Sequence, residues 1–565
     1  MLSQHTPSSK RRSVLRGLCA SLLTTLGLAL SAPAQMTDLA EDQSYEEALR
    51  EYRGFVDRPS LYKRMWGREL LAATRDPRAL EVLMKTYRKP EEPQQVNKYL
   101  ITSLVMRVWG NDLSLATLGD WRGQNKKTTD SWLWYKTLLP TAVKHFEVIF
   151  DIARDNRDPF LRAAAMQSLA DQLANSNSPD ELPEFLSEML TELPKKELER
   201  ALRIEGVTAI LLAMKPVLRE DPWKEICRTL ILQFDDEDTP QRTKVNIARM
   251  LTEAFEVPNL GLSSRWWQSE LDRNPNRVNR QGPTQTVPFF SLRTIGYRFV
   301  YVIDASDSML VPVTDREKKD LGPITGGDKP EPGEPGFVPG EDDIEWSRVV
   351  NRFDAAQEYL RLSLQSLSPE HEFAVVLFGS EAELLESTPR MIRATPANVR
   401  RVLKELQEIE PGPVVDRRPH GTLRGDTNLY GGLRMAFQIT AKGETRSESY
   451  IDKKALFNGC DTIFLLSDGA PNFDDFLERD TPDPGDQAGD NETGEKLENT
   501  EFLNYQGPYV HGLQLYQLDD LRRMNLFRRA ELHCVGIGEA NHQLLEAMAE
   551  IGHGQAVKVE GTRGR

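Results

Sequence analysis

The hydrophobic pattern divides the chain into two parts with different periods. From about residue 60 to 272, apolar residues recur at three- and four-residue intervals, as in "DPRALEVLMKTYR", "DPFLRAAAMQSLADQLA", "ELERALRIEGVTAILLAMKPVL" and "TPQRTKVNIARMLTEAF". That period lines up one face of a helix, so this region is expected to be all-α. Several of these stretches open with Asp-Pro or Thr-Pro, a capping side chain followed by a proline suited to the first helical turn. From about residue 296 the pattern changes. Short, nearly continuous apolar runs alternate with amphipathic stretches: "YRFVYVI", "EFAVVLFG", "DTIFLLSDG", "ELHCVGIG" and "GQAVKVE" read as strands. "RFDAAQEYLRLSLQSL", "PANVRRVLKELQEI", "NLYGGLRMAFQIT", "QLDDLRRMNLFRRA" and "NHQLLEAMAEIG" read as helices. Strands without polar alternation must be covered on both faces. The expectation is therefore a doubly wound α/β domain with a mostly parallel sheet.

The all-α part has a further regularity. Asp158, Leu202 and Thr239 begin comparable helices about 40 residues apart, which resembles the period of HEAT-like helix pairs. A general helical bundle is the alternative, and in both cases each amphipathic pair buries its stripe on a neighbour. Residues 35–59 are polar and acidic and read as a lead-in. "SSRWWQSELDRNPNRVNRQGPTQTVPFF" closes the helical part, with Trp266 and Trp267 ending a helix or capping the stack and residues 273–295 reading as a linker. Residues 296–565 then form the α/β domain, interrupted by two insertions at about 311–345 and 474–510. Both are rich in Pro, Gly and charge.

Composition narrows the function classes. Of 565 residues, 71 are Lys or Arg and 86 are Asp or Glu, a net charge of −15. An acidic chain lacks the cationic surface that sequence-independent nucleic-acid binding requires. The first 34 residues form a signal-like segment. Lys10, Arg11, Arg12 and Arg16 precede the apolar stretch "GLCASLLTTLGLALSA", and Ala32-Pro33-Ala34 offers a small-x-small cleavage site. "SKRRSVLRG" resembles a twin-arginine export signal; a general secretory signal is the alternative. Cleavage after Ala34 is expected, leaving a mature chain outside the cytoplasmic membrane with no membrane span. The remaining cysteines, Cys227, Cys460 and Cys534, make no disulfide framework, and no Cys-x-x-Cys or His-x-x-x-His pair suggests zinc.

The chemistry gathers at strand ends. In "YVIDASDSML" a buried run stops at Asp304, and Ser306 and Ser308 follow at spacing two. "RGDTNLYGGL" supplies Thr427 just ahead of a helix, and "LLSDGAPN" supplies Asp468. In a doubly wound sheet, ligands bind beyond the carboxyl ends of the strands. Two carboxylates and three hydroxyls there are a donor set for a hard divalent cation. Taken together, these residues resemble the metal-ion-dependent adhesion site of von Willebrand factor A domains, over roughly residues 296 to 560. The resemblance implies direct coordination by Ser306, Ser308 and Thr427, with Asp304 and Asp468 acting largely through water. It implies Mg²⁺, with Mn²⁺ or Ca²⁺ as substitutes, and a carboxylate from a protein partner completing the shell. Asp307 stands where glycine is frequent in the family, and Asp426 precedes Thr427. This added negative charge should favour the cation and oppose an acidic ligand.

The helical repeats with such a domain resemble exported bacterial proteins of that combined architecture. The first functional expectation is a binding protein and not an enzyme, with the cation as a bond to an unknown protein partner. A metal-dependent hydrolase with Asp307 or Asp468 as base is a second possibility, but no transition-state stabiliser is legible. A regulatory subunit of a chaperone-type ATPase is a third, which the export signal opposes. Asp483, Asp486 and Asp490 lie in one acidic loop without the EF-hand spacing, and the "RGD" at 424–426 overlaps the Thr427 loop. The histidines have neither a nucleophile elbow nor a His-Glu-x-x-His context.

Overall fold

The computed structural model describes residues 44–58, 61–86, 146–273, 287–318, 344–412, 425–445, 453–472 and 514–559, apart from positions 175, 291 and 316, together with Leu423. The signal-like segment, most of the first insertion and all of the second, with its Asp483–Asp490 loop, lie outside the described residues.

The first described helices are α1 (Tyr45–Phe55), α2 (Leu61–Ala73) and α3 (Pro77–Thr86). Residues 45–55 thus form a helix within the stretch read as a lead-in. The reason is local: Ser44 caps the Glu47 amide while the Glu47 side chain returns to the Ser44 amide. Among the described residues seven further helices follow: α4 (Phe146–Asp155), α5 (Pro159–Leu173), α6 (Leu182–Thr191), α7 (Glu197–Ala213), α8 (Trp223–Ile231), α9 (Gln241–Phe255) and α10 (Ser264–Leu271). They stack in two layers, α5 on α7 on α9, and α6 on α8 on α10. Asp158 caps α5 as its Asp-Pro pair predicts, accepting from the Phe160 amide at 3.0 Å. Leu202, by contrast, lies inside α7 and does not start it.

The rest of the described chain is α/β. A hairpin, β1 (Val287–Phe289) and β2 (Leu292–Thr294), occupies the end of the stretch expected to be a linker. The sheet then takes β3 (Arg298–Asp304), β4 (Glu372–Phe378), β5 (Ala382–Leu384), β6 (Ile392–Arg393), β9 (Thr462–Ser467), β10 (Glu531–Ile537) and β11 (Ala556–Val559). Between these lie α11 (Arg352–Ser366), α12 (Pro396–Gln407), α13 (Leu429–Gln438), the small pair β7 (Ile439–Thr440) and β8 (Gly443–Glu444), α14 (Lys453–Asn458), α15 (Gln514–Asn525) and α16 (His542–Ile551). The seven-stranded sheet runs β11-β10-β9-β3-β4-β5, with β6 also paired to β4. The five long strands are parallel; β5 and β6 are short antiparallel additions at the edge, which hydrophobic runs alone did not announce.

Alternation along each strand divides the core. Val300, Val302, Val376 and Leu465 face one side with α13, α15 and α16, while Phe299, Tyr301, Val375 and Phe464 face the other with α11 and α12. Ala48, Leu49, Tyr52, Leu71 and Leu83 belong to the first of these clusters and not to that of the helical stack. So α1–α3 group with the α/β domain, although their period alone places residues 60–86 with the other helices. No helix among the described residues is long and apolar enough to cross a membrane.

The stack docks on the amino ends of the strands. From α9, Arg249 donates to the carbonyls of Ile295 at 2.6 Å and Asp461 at 2.8 Å, and pairs with Glu531 at 3.2 Å. Arg242 donates to the Phe527 and Arg528 carbonyls while pairing with buried Glu205 at 2.6 Å. Phe160 meets Phe527 edge-on. The opposite, carboxyl edge of the sheet is thereby left for the site, about 20 Å away at ~3.3 Å per strand residue.

Candidate functional site

Parallel pairing puts Asp304 and Ser467 at the same edge, because β3 and β9 run in register from Phe299 and Thr462. Asp304 is the last residue of β3 and fully buried. Its Oδ1 accepts from the Ser306 amide at 2.9 Å, which turns the chain away from the strand. Its Oδ2 accepts from the Ser467 hydroxyl at 2.7 Å. A single 3-10 turn over Asp307–Leu310 then folds Ser308 back, so that the Ser306 and Ser308 hydroxyls lie 3.0 Å apart. Ser308 in turn donates to Asp468 Oδ1 at 2.6 Å.

Thr427 comes from the third segment. Asn428 caps α13 by accepting from the Gly431 amide at 2.8 Å, and its own amide donates to the Gly379 carbonyl at 2.7 Å. The Thr427 amide donates to Asn472 Oδ1 at 2.7 Å, and the Asn472 amide returns to the Thr427 carbonyl at 3.2 Å. These bonds pin the Thr427 loop to the loop after β9. At Gly469 a Cβ would stand 3.3 Å from Thr427 Oγ1 and 3.7 Å from Ser308 Oγ, so both hydroxyls approach the same backbone. All five residues singled out in the sequence therefore meet at one rim.

The electrostatics follow from burial. Asp304 is pushed up to about 7, first by burial and then by the charge of Asp468; Asp468 is itself raised, chiefly by burial. Two carboxylates that resist ionising together, beside three hydroxyl oxygens, fit a hard cation, which would relieve both penalties. Among the described residues no three of His, Cys, Asp and Glu gather to hold a metal, so any such site must lean on the hydroxyls. Asp426 accepts from the Ser380 hydroxyl at 2.8 Å, and Asp307 packs over Gly425; Arg424 lies outside the described residues.

Sequence reading missed four side chains. Ser467 was visible beside Asp468 but masked by the strand pattern. Asn472 stood within the quoted "LLSDGAPN" without a signal of its own. Arg352 and Glu317 lie in segments with no motif, yet Arg352 donates to Asp468 Oδ2 at 2.9 Å.

Residues 345–472 and 516–558 match the family model of the von Willebrand factor type A domain. This part of the chain is similar to von Willebrand factor type A domains. The match includes Thr427 and Asp468 and begins after Asp304, Ser306 and Ser308. Among solved structures, a chain described as von Willebrand factor type A from Catenulispora acidiphila is similar at 16% identity, with a TM-score of 0.25. The similarity covers 47% of this chain and 39% of that one, so this chain spans about two fifths of its length. No curated protein matches. The helical part followed by a parallel-dominated sheet is the architecture expected from the hydrophobic pattern.

Proposed function

We propose that the chain is a binding protein whose type A-like domain holds a divalent cation, most simply Mg²⁺, between Asp304, Ser306, Ser308, Thr427 and Asp468. Domains of this family generally take part in protein–protein interaction. The observation that carries the cation reading is the convergence of the Ser306, Ser308 and Asp468 oxygens at 3.0 and 2.6 Å, next to the buried Asp304 carboxyl. Hydroxyls and carboxylates suit Mg²⁺, Mn²⁺ or Ca²⁺ and not a soft metal. When bound, the cation supplies an electrophilic point that a partner's carboxylate can meet. The chain's own residues orient the donors, and the helical stack grips the opposite edge of the sheet. The exported location belongs to the same proposal and rests on the first 34 residues.

The test is a pull-down from an envelope extract with the mature protein, in Mg²⁺, in chelator, and with Asp304→Ala. A protein retained only by wild type with metal supports the reading. The same proteins retained in all three arms would move the interface away from the cluster.

A further inference from the structure

The two carboxylates of the cluster share their buried space with an ion pair. Arg352, the first residue of α11, is 8% exposed, and Glu317 is fully buried. The guanidinium reaches Asp468 Oδ2 through Nη1 at 2.9 Å, and Glu317 Oε1 through Nη2 at 3.2 Å and Nε at 3.3 Å. The other Glu317 oxygen accepts from the Thr314 amide at 2.7 Å. The guanidinium also lies against Gly538, just beyond β10, where the backbone is left-handed at φ +63° and a Cβ would overlap Nη2. Arg352 is therefore held from three sides.

Charge gives this arrangement a consequence. Asp304, Asp468 and Glu317 are buried carboxylates and Arg352 is a buried guanidinium, so the fully ionised set, the form that would hold a cation, carries two negative charges where water cannot screen them. One divalent cation balances that set. Arg352 attracts Asp468 whether or not a cation is present, but it repels a cation in the cluster. Its net effect on cation binding is therefore unfavourable, since only the difference between the loaded and empty states counts. Glu317 acts in the opposite sense, by adding negative charge and by drawing the guanidinium away from Asp468.

We infer that Arg352 and Glu317 are positioning residues that set the cation affinity of the cluster in opposite directions: Arg352 is an internal counter-ion competing for Asp468, and Glu317 restrains it. The inference rests on the cation reading proposed above. With Arg352 in place the loaded cluster carries no surplus negative charge. An incoming carboxylate then meets the cation despite Asp307 and Asp426 nearby.

The experiment is titration calorimetry of the full chain with Mg²⁺ alone and with Mn²⁺ alone. Wild type is compared with Asp304→Ala, Arg352→Gln, Arg352→Lys, Glu317→Gln and the double Arg352→Gln/Glu317→Gln. Arg352→Gln is expected to bind about tenfold tighter and Glu317→Gln about tenfold weaker, while Arg352→Lys and the double variant stay within about threefold of wild type. A purely structural ion pair would shift both single variants in the same direction, because each breaks the same contact. Shifts of the same sign, or none, overturn the inference. Circular dichroism in chelator checks folding. If Arg352→Gln does not fold, tighter or unchanged binding in the near-isosteric Glu317→Gln still overturns it. Absence of binding by wild type, or binding undiminished in Asp304→Ala, would instead remove the cation reading itself.

Discussion

Ser308 and Asp468 are 160 positions apart and joined by a 2.6 Å hydrogen bond between hydroxyl and carboxylate. The bond links the loop after β3 to the loop after β9, and it spends the serine's proton on the carboxylate, which leaves hydroxyl lone pairs for another ligand. On the proposed cation reading, Ser308→Ala should therefore lower Mg²⁺ affinity by tenfold or more, on the order expected when a metal site loses a donor or its support. Calorimetry measures it. Wild-type affinity in Ser308→Ala would exclude this hydroxyl from the site.

The junction between the two parts should be acid-sensitive. Burial alone would raise the Glu531 carboxyl, but Arg249 at 3.2 Å, His533 at 3.3 Å and the Thr294 hydroxyl outweigh it and hold the group at about 2. A carboxyl lowered by folding stabilises the native state above its unfolded value and loses that contribution as pH falls toward its folded value. The window is therefore about pH 4.5 down to 2, and the contribution is about 3 kcal/mol. Denaturant unfolding across that range should show a steep acid loss in wild type and a shallower one in Glu531→Gln.

Arg242 and Glu205 are both buried and pair at 2.6 Å, and Arg242 also donates across to the α15–β10 connection. Removing one member leaves an uncompensated charge. Arg242→Met should cost about 3–5 kcal/mol, whereas Arg242→Met with Glu205→Met should recover much of it. A double-mutant cycle by denaturant unfolding reads this directly.

The adjacent tryptophans of α10 differ by exposure. Trp267 is fully buried and donates through Nε1 to the Gly261 carbonyl at 2.8 Å, whereas Trp266 is 38% exposed. Trp267→Ala should cost about 3–5 kcal/mol. Trp266→Ala should cost under about 1 kcal/mol, as surface changes usually do. Comparable losses in the two variants would contradict this packing.

Much of the fold was legible because it depends on local pattern. The runs around Val302, Val376 and Leu465 are apolar at consecutive positions, and only a sheet covered on both faces requires that. The candidate donors were legible because each follows a strand or precedes a helix, and a parallel sheet brings all such ends to one edge. The helix of residues 45–55 escaped notice because its capping box lay in polar sequence. The edge strands β5 and β6 escaped because a few residues carry no periodicity. The grouping of α1–α3 with the α/β core was not legible, since an amphipathic period gives a buried face but not the surface that covers it.

The two periods, the order of strands and helices, and the chemical kinds of oxygen at the rim can be read along the chain, because these follow from neighbouring residues. Which charges share a buried space is settled by the folded packing. Arg352 and Glu317 carry no motif, and their bearing on Asp468 comes from distances of 2.9 and 3.2 Å between segments far apart in the chain. Coulomb energy depends on separation in space and on the water excluded between charges, and neither is written in the order of residues.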